Sequence, residues 1–296
     1  NLSGKTYKGT ISGMPGNMNG PELVEFWINK ASSANKGVDT VNGYNYPQLI
    51  SKFIMGAVSY NQAVDNYLDE KLDAGNKPND KPYKKGAYYT GKEHSWDEAF
   101  GYFGAPAHTL TLTAKQVYNI AKRKPEGVGA ADYDEDGVID LKTEMAFGPA
   151  YYAAGFDKGG KTNYLQTITK AYVEGRKIIV AAGGKKLSNA QRSQLKAYAL
   201  IIGKNWERVL AEATFKYAGS VHKDLEKIQT IIDAKGKVSK ALNAYIKHWG
   251  ELKGFSLALQ TGNKKLGATA SKLNRLIGAG PVMPGNTQVA RIDKQG

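Results

Sequence analysis

Apolar residues recur at helical spacing through most of this chain. The strongest run is Leu49, Ile50, Phe53, Ile54, Ala57, Val58, Asn61, Val64, Tyr67, Leu68 and Leu72. Its steps of three and four hold for about six turns and predict one long amphipathic helix. A shorter helix is predicted over residues 21–31, with Pro21 in its first turn. Another runs from about Glu93 and is ended by Gly104 and Pro106, and another covers 114–122. In the second half, Leu165, Ile168, Ala171, Tyr172, Gly175, Ile178 and Ile179 mark a helix over 164–182. Ser188 caps a helix expected to run to Ile202 and stop at Gly203. Trp206 opens a run through Ile232 with an interruption near Gly219, and helices over 238–259 and 266–277 follow. No stretch shows sustained period-two alternation.

The pattern therefore predicts an all-α protein of antiparallel helices packed as bundles. Residues 1–45 read as an extended or loosely docked arm with one short helix. Residues 46–150 form a first bundle half, and 151–296 a second half with a C-terminal tail. The tail after Gly278, rich in Gly, Pro and Asn, is expected to lie over the surface or fray.

Against this helical background one stretch concentrates chemistry. Residues 93–104 carry Glu93, His94, Asp97 and Glu98 together with Trp96, Phe100, Tyr102 and Phe103, in a chain with only four histidines. On a helix, His94 stands at i,i+3 to Asp97 and i,i+4 to Glu98, so one face presents all three. Such a face is either a metal site or a hydrogen-bond network. A second pair, His248 and Glu251 at i,i+3 beside Trp249, sits in the 238–259 helix. If the two helices face each other, both pairs converge on one ion, and two imidazoles with carboxylates suit iron, zinc or manganese. The alternative role is a polar network that fixes helix register. His108 and His222 lack such partners and read as loop or surface residues.

The most specific local motif is Asp132-Tyr133-Asp134-Glu135-Asp136-Gly137-Val138-Ile139-Asp140. Oxygen-bearing residues alternate, glycine stands sixth and an apolar residue eighth, as in the first nine positions of an EF-hand loop. Asp132, Asp134 and Asp136 would supply carboxylate oxygens, Val138 a backbone carbonyl, and Asp140 a further oxygen directly or through water. The twelfth position is Thr143, so Glu144, one place later, is the expected closing ligand. The ion this points to is calcium, in a structural role. The alternative is an Asp-rich turn that holds no ion.

Composition narrows the field further. There is no cysteine, which excludes disulfides, zinc–thiolate sites, iron–sulfur clusters and cysteine catalysis. No apolar stretch is long enough to cross a membrane. The lack of cysteine, with Asn1 in place of an initiator methionine, leads us to expect an exported protein whose leader has been removed. A net charge of +14 favours anionic partners. The lysines and arginines are spread along the chain and no nucleic-acid module is recognisable, so nucleic acid is not an expected partner.

The stretch Glu93-His94-Ser95-Trp96-Asp97-Glu98-Ala99-Phe100-Gly101-Tyr102-Phe103-Gly104 resembles the signature of an imelysin-related bacterial family of unknown function, often encoded beside iron-uptake genes. The resemblance covers most of the chain after residue 45. It takes in Tyr67-Leu68, the Asp-rich loop with Ile139-Asp140-Leu141 and Glu144, Glu174-Gly175-Arg176, and the His248 helix. Imelysin-like proteins carry Gly-x-His-x-x-Glu on a helix. His248 and Glu251 match its second part, and Ile246 stands where the glycine would be. The resemblance implies two imelysin-like helical bundles, export to the periplasm or cell surface, and a role in iron acquisition. Partners would then be iron or an iron complex, with an outer-membrane uptake receptor or neighbouring copies of the chain. The expected iron ligands are His94, Glu98, His248 and Glu251, with Asp97 and Glu93 as alternates. Arg176 would hold an anionic complex or pair with a carboxylate. Two other functions compete: a surface-interaction or self-assembling protein, and a metallopeptidase. The chain has no His-Glu-x-x-His motif to support the last.

Overall fold

Capping residues set most of the helix starts. The structure is a computed structural model and describes residues 1–73, 75–262 and 264–283. After a single turn, α1 (Leu2–Lys5), Asn19 opens α2 (Gly20–Ser32) through a reciprocal capping box with Glu22. A two-residue antiparallel pair, β1 (Val38–Asp39) and β2 (Tyr44–Asn45), leads into α3 (Tyr46–Ile54). That pair is too short to register as alternation. Thr90 and Glu93 cap α4 (Gly91–Phe103), which Gly104 ends in the left-handed conformation. Next come α5 (Ala114–Ala121), α6 (Pro125–Ala131), α7 (Gly148–Asp157) and α8 (Tyr164–Ala181). The chain continues through α9 (Asn189–Asp233), α10 (Ser239–Ala258) and α11 (Lys264–Ile277). The architecture is all-α.

The helices form two compact units, one of Asn1–Val58 with the chain from Leu210 onward, the other of Ser59–Val209. The units therefore do not follow the linear order 46–150 and 151–296. In the first unit, Leu23, Val24 and Trp27 of α2 meet Leu49 and Phe53 of α3 and Tyr245, Ile246 and Trp249 of α10. Gly250 and Gly254 let α10 lie against α3: a Cβ at Gly254 would sit 2.8 Å from the Leu49 carbonyl oxygen. In the second unit, Trp96 and Phe103 of α4 pack on Tyr172 of α8, and Phe103 also meets Trp206 of α9. The Trp96 indole N–H donates to the Tyr172 carbonyl at 2.8 Å, and the Tyr172 hydroxyl donates to the Ala99 carbonyl at 3.0 Å.

Three expectations from the pattern are corrected. The N-terminal arm is not loose: Ile11 and Met14 are core residues of the first unit, and Ser12 bonds Gln260 through backbone and hydroxyl. The run after Leu49 is not a uniform α-helix. It widens into a π-helix over Met55–Tyr67, continued by a five-residue bond from the Leu68 N–H to the Ala63 carbonyl. Tyr60, Ala63, Tyr67 and Leu68 are buried, whereas Val58 and Val64 are only partly covered. Third, α9 does not stop at Gly203 or break at Gly219 but runs unbroken for 45 residues. Gly203 faces Tyr60 and Val64. Burial of Leu195, Ile202, Trp206 and Val209 outweighs its weak helix propensity, a cost of about 1 kcal/mol. Of the predicted tail, residues 284–296 lie outside the described residues. Its beginning is packed, with Met283 in the core and the Val282 N–H donating to the Tyr245 hydroxyl.

Two buried lysines are held by backbone carbonyls in place of ion pairs. Lys92 donates to the carbonyls of Lys71, Asp73 and Asn76, and Lys253 to those of Asn274 and Gly278. Burial pushes Lys92 down to about 8 and Lys253 down to about 7. Both lie below the unfolded value of 10.5, so in that window the unfolded chain binds more protons and stability rises with pH. Lys253→Met should flatten that rise, as urea denaturation at about pH 7 and about pH 9 would read. An unchanged pH slope would show that Lys253 keeps its charge in the fold.

Candidate metal centres

The Asp-rich loop starts where α6 ends. Glu135 and Gly137 take left-handed conformations, φ 59° and 83°, which fold the chain back over its own carboxylates. The Gly137 N–H donates to Asp132 Oδ2 at 3.0 Å and the Val138 N–H to Asp136 Oδ1 at 2.7 Å. Carboxylate oxygens of Asp132, Asp134 and Asp136 lie within 4.8 Å of one another. Asp132 Oδ1 is buried and has no hydrogen-bond partner. Three carboxylates, one of them with an unsatisfied buried oxygen, fit calcium, with Val138 one residue beyond Gly137 as the EF-hand order requires. Asp140 and Glu144 are differently placed. Asp140 accepts the Lys142 N–H, while Glu144 accepts the N–H groups of Tyr133 at 2.7 Å and Asp140 at 2.8 Å. Those amides hold the Glu144 carboxyl below the usual range. Glu144 thus clasps the two ends of the loop. His108 lies in a loop, one of the two places expected for it, but is buried there rather than on the surface. Its Nε2–H donates to the Ala130 carbonyl and its ring stacks on Tyr133 at 4.7 Å, bracing the loop from beneath.

On α4 the acidic residues divide between two sets of partners. Arg176 of α8 donates from Nη1 to Glu93 and from Nε to Asp97, both at 2.8 Å. Burial would raise the Glu93 carboxyl, but the Thr90 amide and Arg176 outweigh it and hold it below the ordinary range. His94 instead lies 3.4 Å from Glu98 and stacks on Tyr83 at 3.6 Å between centroids, with Tyr89 at 5.8 Å. Burial and a hydrogen bond with Glu98 keep the Tyr67 phenol protonated well above its ordinary range. Asp97 therefore leaves the histidine's side to pair with Arg176. As a test, Arg176→Met should destabilise the second unit by about 1–2 kcal/mol, because it strands the largely buried Glu93 carboxylate, while the half-exposed Asp97 keeps water. Urea denaturation would read this, and a loss below about 1 kcal/mol would place the pairs among solvent-screened surface bridges.

On α10 the predicted pair is likewise split. The His248 Nδ1–H donates to Asp224 of α9 at 2.6 Å. Glu251 is almost fully buried. It accepts from the Tyr217 hydroxyl at 3.1 Å and lies 3.8 Å from Lys52 and 3.5 Å from Lys247. Asp224, Tyr217 and Lys52 were not legible from spacing, since they come from other elements. His94 belongs to the unit of residues 59–209 and His248 to the other, and each makes the contacts described here inside its own unit. His222 is exposed and lies 3.4 Å from Glu226 on the same helix.

A family model described as a domain of unknown function (DUF4856) matches residues 29–265. No curated protein and no solved structure matches the chain.

Proposed function

We propose that this chain, which belongs to the DUF4856 family, is an exported helical metal-binding protein whose second unit is held by a structural calcium ion. The observation that carries the reading is the cluster of Asp132, Asp134 and Asp136, in which the buried Asp132 Oδ1 has no hydrogen-bond partner. Asp134 and Asp136 are exposed. Few buried ligands and an open loop belong with weak calcium sites, of the kind filled outside the cytosol, with Kd of about 0.1–1 mM. That supports a place in the periplasm or at the cell surface. Titration calorimetry should show one calcium per chain with magnesium clearly weaker, since an open loop lacks rigid octahedral geometry. Absence of calcium heat at millimolar concentration would remove the proposal.

A second reading, iron capture by an imelysin-like protein, rests on His248. A carboxylate on Nδ1 fixes the tautomer and leaves Nε2 as the ligating nitrogen, the usual outer arrangement of a metal-bound histidine. Glu251 is one helical turn away, and His94 with Glu98 is the corresponding candidate pair in the other unit. Its partners would be iron or an iron complex, passed to an outer-membrane receptor. Elemental analysis of protein purified without added metal tests this. Stoichiometric iron that falls with His248→Ala supports it, and iron-free wild type overturns it. The rival, a self-assembling surface protein, draws on the exposed Tyr88, Leu200, Phe215 and Leu276. Large assemblies without iron would favour that rival. A metallopeptidase ranks third.

A further inference from the structure

The face shared by α5 and α7 gathers three lysines around one pair of stacked tyrosines. Tyr118 of α5 and Tyr151 of α7 stack at 5.2 Å with an interplanar angle of 24°. Three exposed lysines close on these two rings. The Lys158 ammonium lies 3.8 Å from the Tyr118 centroid, Lys124 lies 6.0 Å from the same ring, and Lys122 lies 5.3 Å from Tyr151. Lys122 and Lys158 are the C-terminal caps of α5 and α7, so the negative ends of both helices favour a cation at each place. That explains why lysines stand there but not what balances them. None of the three makes an ion pair among the described residues. The local field shows in Tyr118 itself. Burial would raise its phenol, yet the Tyr151 hydroxyl and the Lys158 and Lys122 charges bring it below its ordinary value.

From this geometry we propose that Lys122, Lys124 and Lys158, held over the Tyr118–Tyr151 pair, form a binding surface for a soluble polyanion carrying closely spaced phosphate groups. Lysines on flexible stems suit a chain of phosphates better than the fixed geometry of one carboxylate, which an arginine fork would read. The faces of the rings are taken by each other and by the lysines. The surface therefore offers charge and no free platform for stacking a base, which distinguishes its ligand from single-stranded nucleic acid.

Fluorescence anisotropy with labelled inorganic polyphosphate, near physiological ionic strength, tests this. The variant is Lys122→Gln with Lys124→Gln and Lys158→Gln, which keeps stems over the rings. The control is Lys223→Gln with Lys237→Gln and Lys240→Gln, three exposed lysines elsewhere with the same change in net charge. The first triple should weaken binding about a hundredfold and the control less than about threefold, on the scale of one near-surface charge contact per lysine. Melting curves establish that both variants are folded, and if the first is not, Lys158→Gln alone should weaken binding about fivefold. Equal losses in both triples, or no binding by the wild type, overturn the proposal. So does tighter binding of a single-stranded oligonucleotide of equal charge, because bases would then contribute.

Discussion

Replacing Asp132 and Asp136 by alanine should lower the melting temperature of the second unit and abolish the calcium dependence expected of it. An ion bound only by the folded state stabilises it by mass action, about 2.7 kcal/mol at a hundred times Kd. For a unit of this size each kcal/mol moves the midpoint by roughly 2–4 °C, so saturating calcium should raise the wild type by roughly 5–10 °C. In chelator the wild type should fall towards the variant. Asp132 also accepts the Gly137 amide, so the variant loses some stability under both conditions. The diagnostic quantity is therefore the calcium increment and not the absolute midpoint. A wild-type midpoint unmoved by chelation would leave the loop as an ion-free turn.

Gly175→Ala should be among the most damaging single-atom additions to the chain. A Cβ there would lie 2.1 Å from Trp96 Cζ2 and within 2.8 Å of two further indole carbons. The indole cannot simply retreat. It is buried and tied by its N–H to the Tyr172 carbonyl on the same helix as Gly175. Overpacking a well-filled core typically costs 1–3 kcal/mol, and this contact sits at the upper end, about 3 kcal/mol. Arg176 is the next residue, so a displaced α8 also strains its bonds to Glu93 and Asp97. Adding Trp96→Phe removes the clashing ring and should restore part of the loss, with an interaction energy above about 1 kcal/mol in the double-mutant cycle. Urea denaturation of the four proteins measures it. A Gly175→Ala chain as stable as wild type would mean that α4 and α8 do not approach this closely.

These two expectations also separate what could be read along the chain from what could not. The helix start at Ser188 was visible because a cap and its partner stand three residues apart, and Pro21 marked the first turn of α2, whereas α4 begins at Gly91 under a Thr90 cap, two residues before the expected start at Glu93. The stop at Gly104 and the turn at Gly137 were visible because glycine takes a left-handed backbone without the steric cost a Cβ imposes. The trio Asp132, Asp134 and Asp136 was visible for the same local reason. Glu144 was legible as part of that loop, though not that it would bind the amides of Tyr133 and Asp140.

By itself, then, the sequence determined the all-α class, most helix boundaries and the oxygen-rich loop, because each rests on contacts within a few residues. Tertiary structure alone decided which partner each charged side chain meets. Arg176 takes Glu93 and Asp97 from 83 and 79 positions away, and Asp224 takes His248 across 24. Packing likewise carried α9 through Gly203 and wound Met55–Tyr67 as a π-helix, where periodicity predicted a stop and a uniform stripe. The physical reason is the same in each case. A helix face shows which side chains point together, but a charge pairs with whatever another element brings within 3–4 Å, and propensities of about 1 kcal/mol yield to the burial of several core side chains.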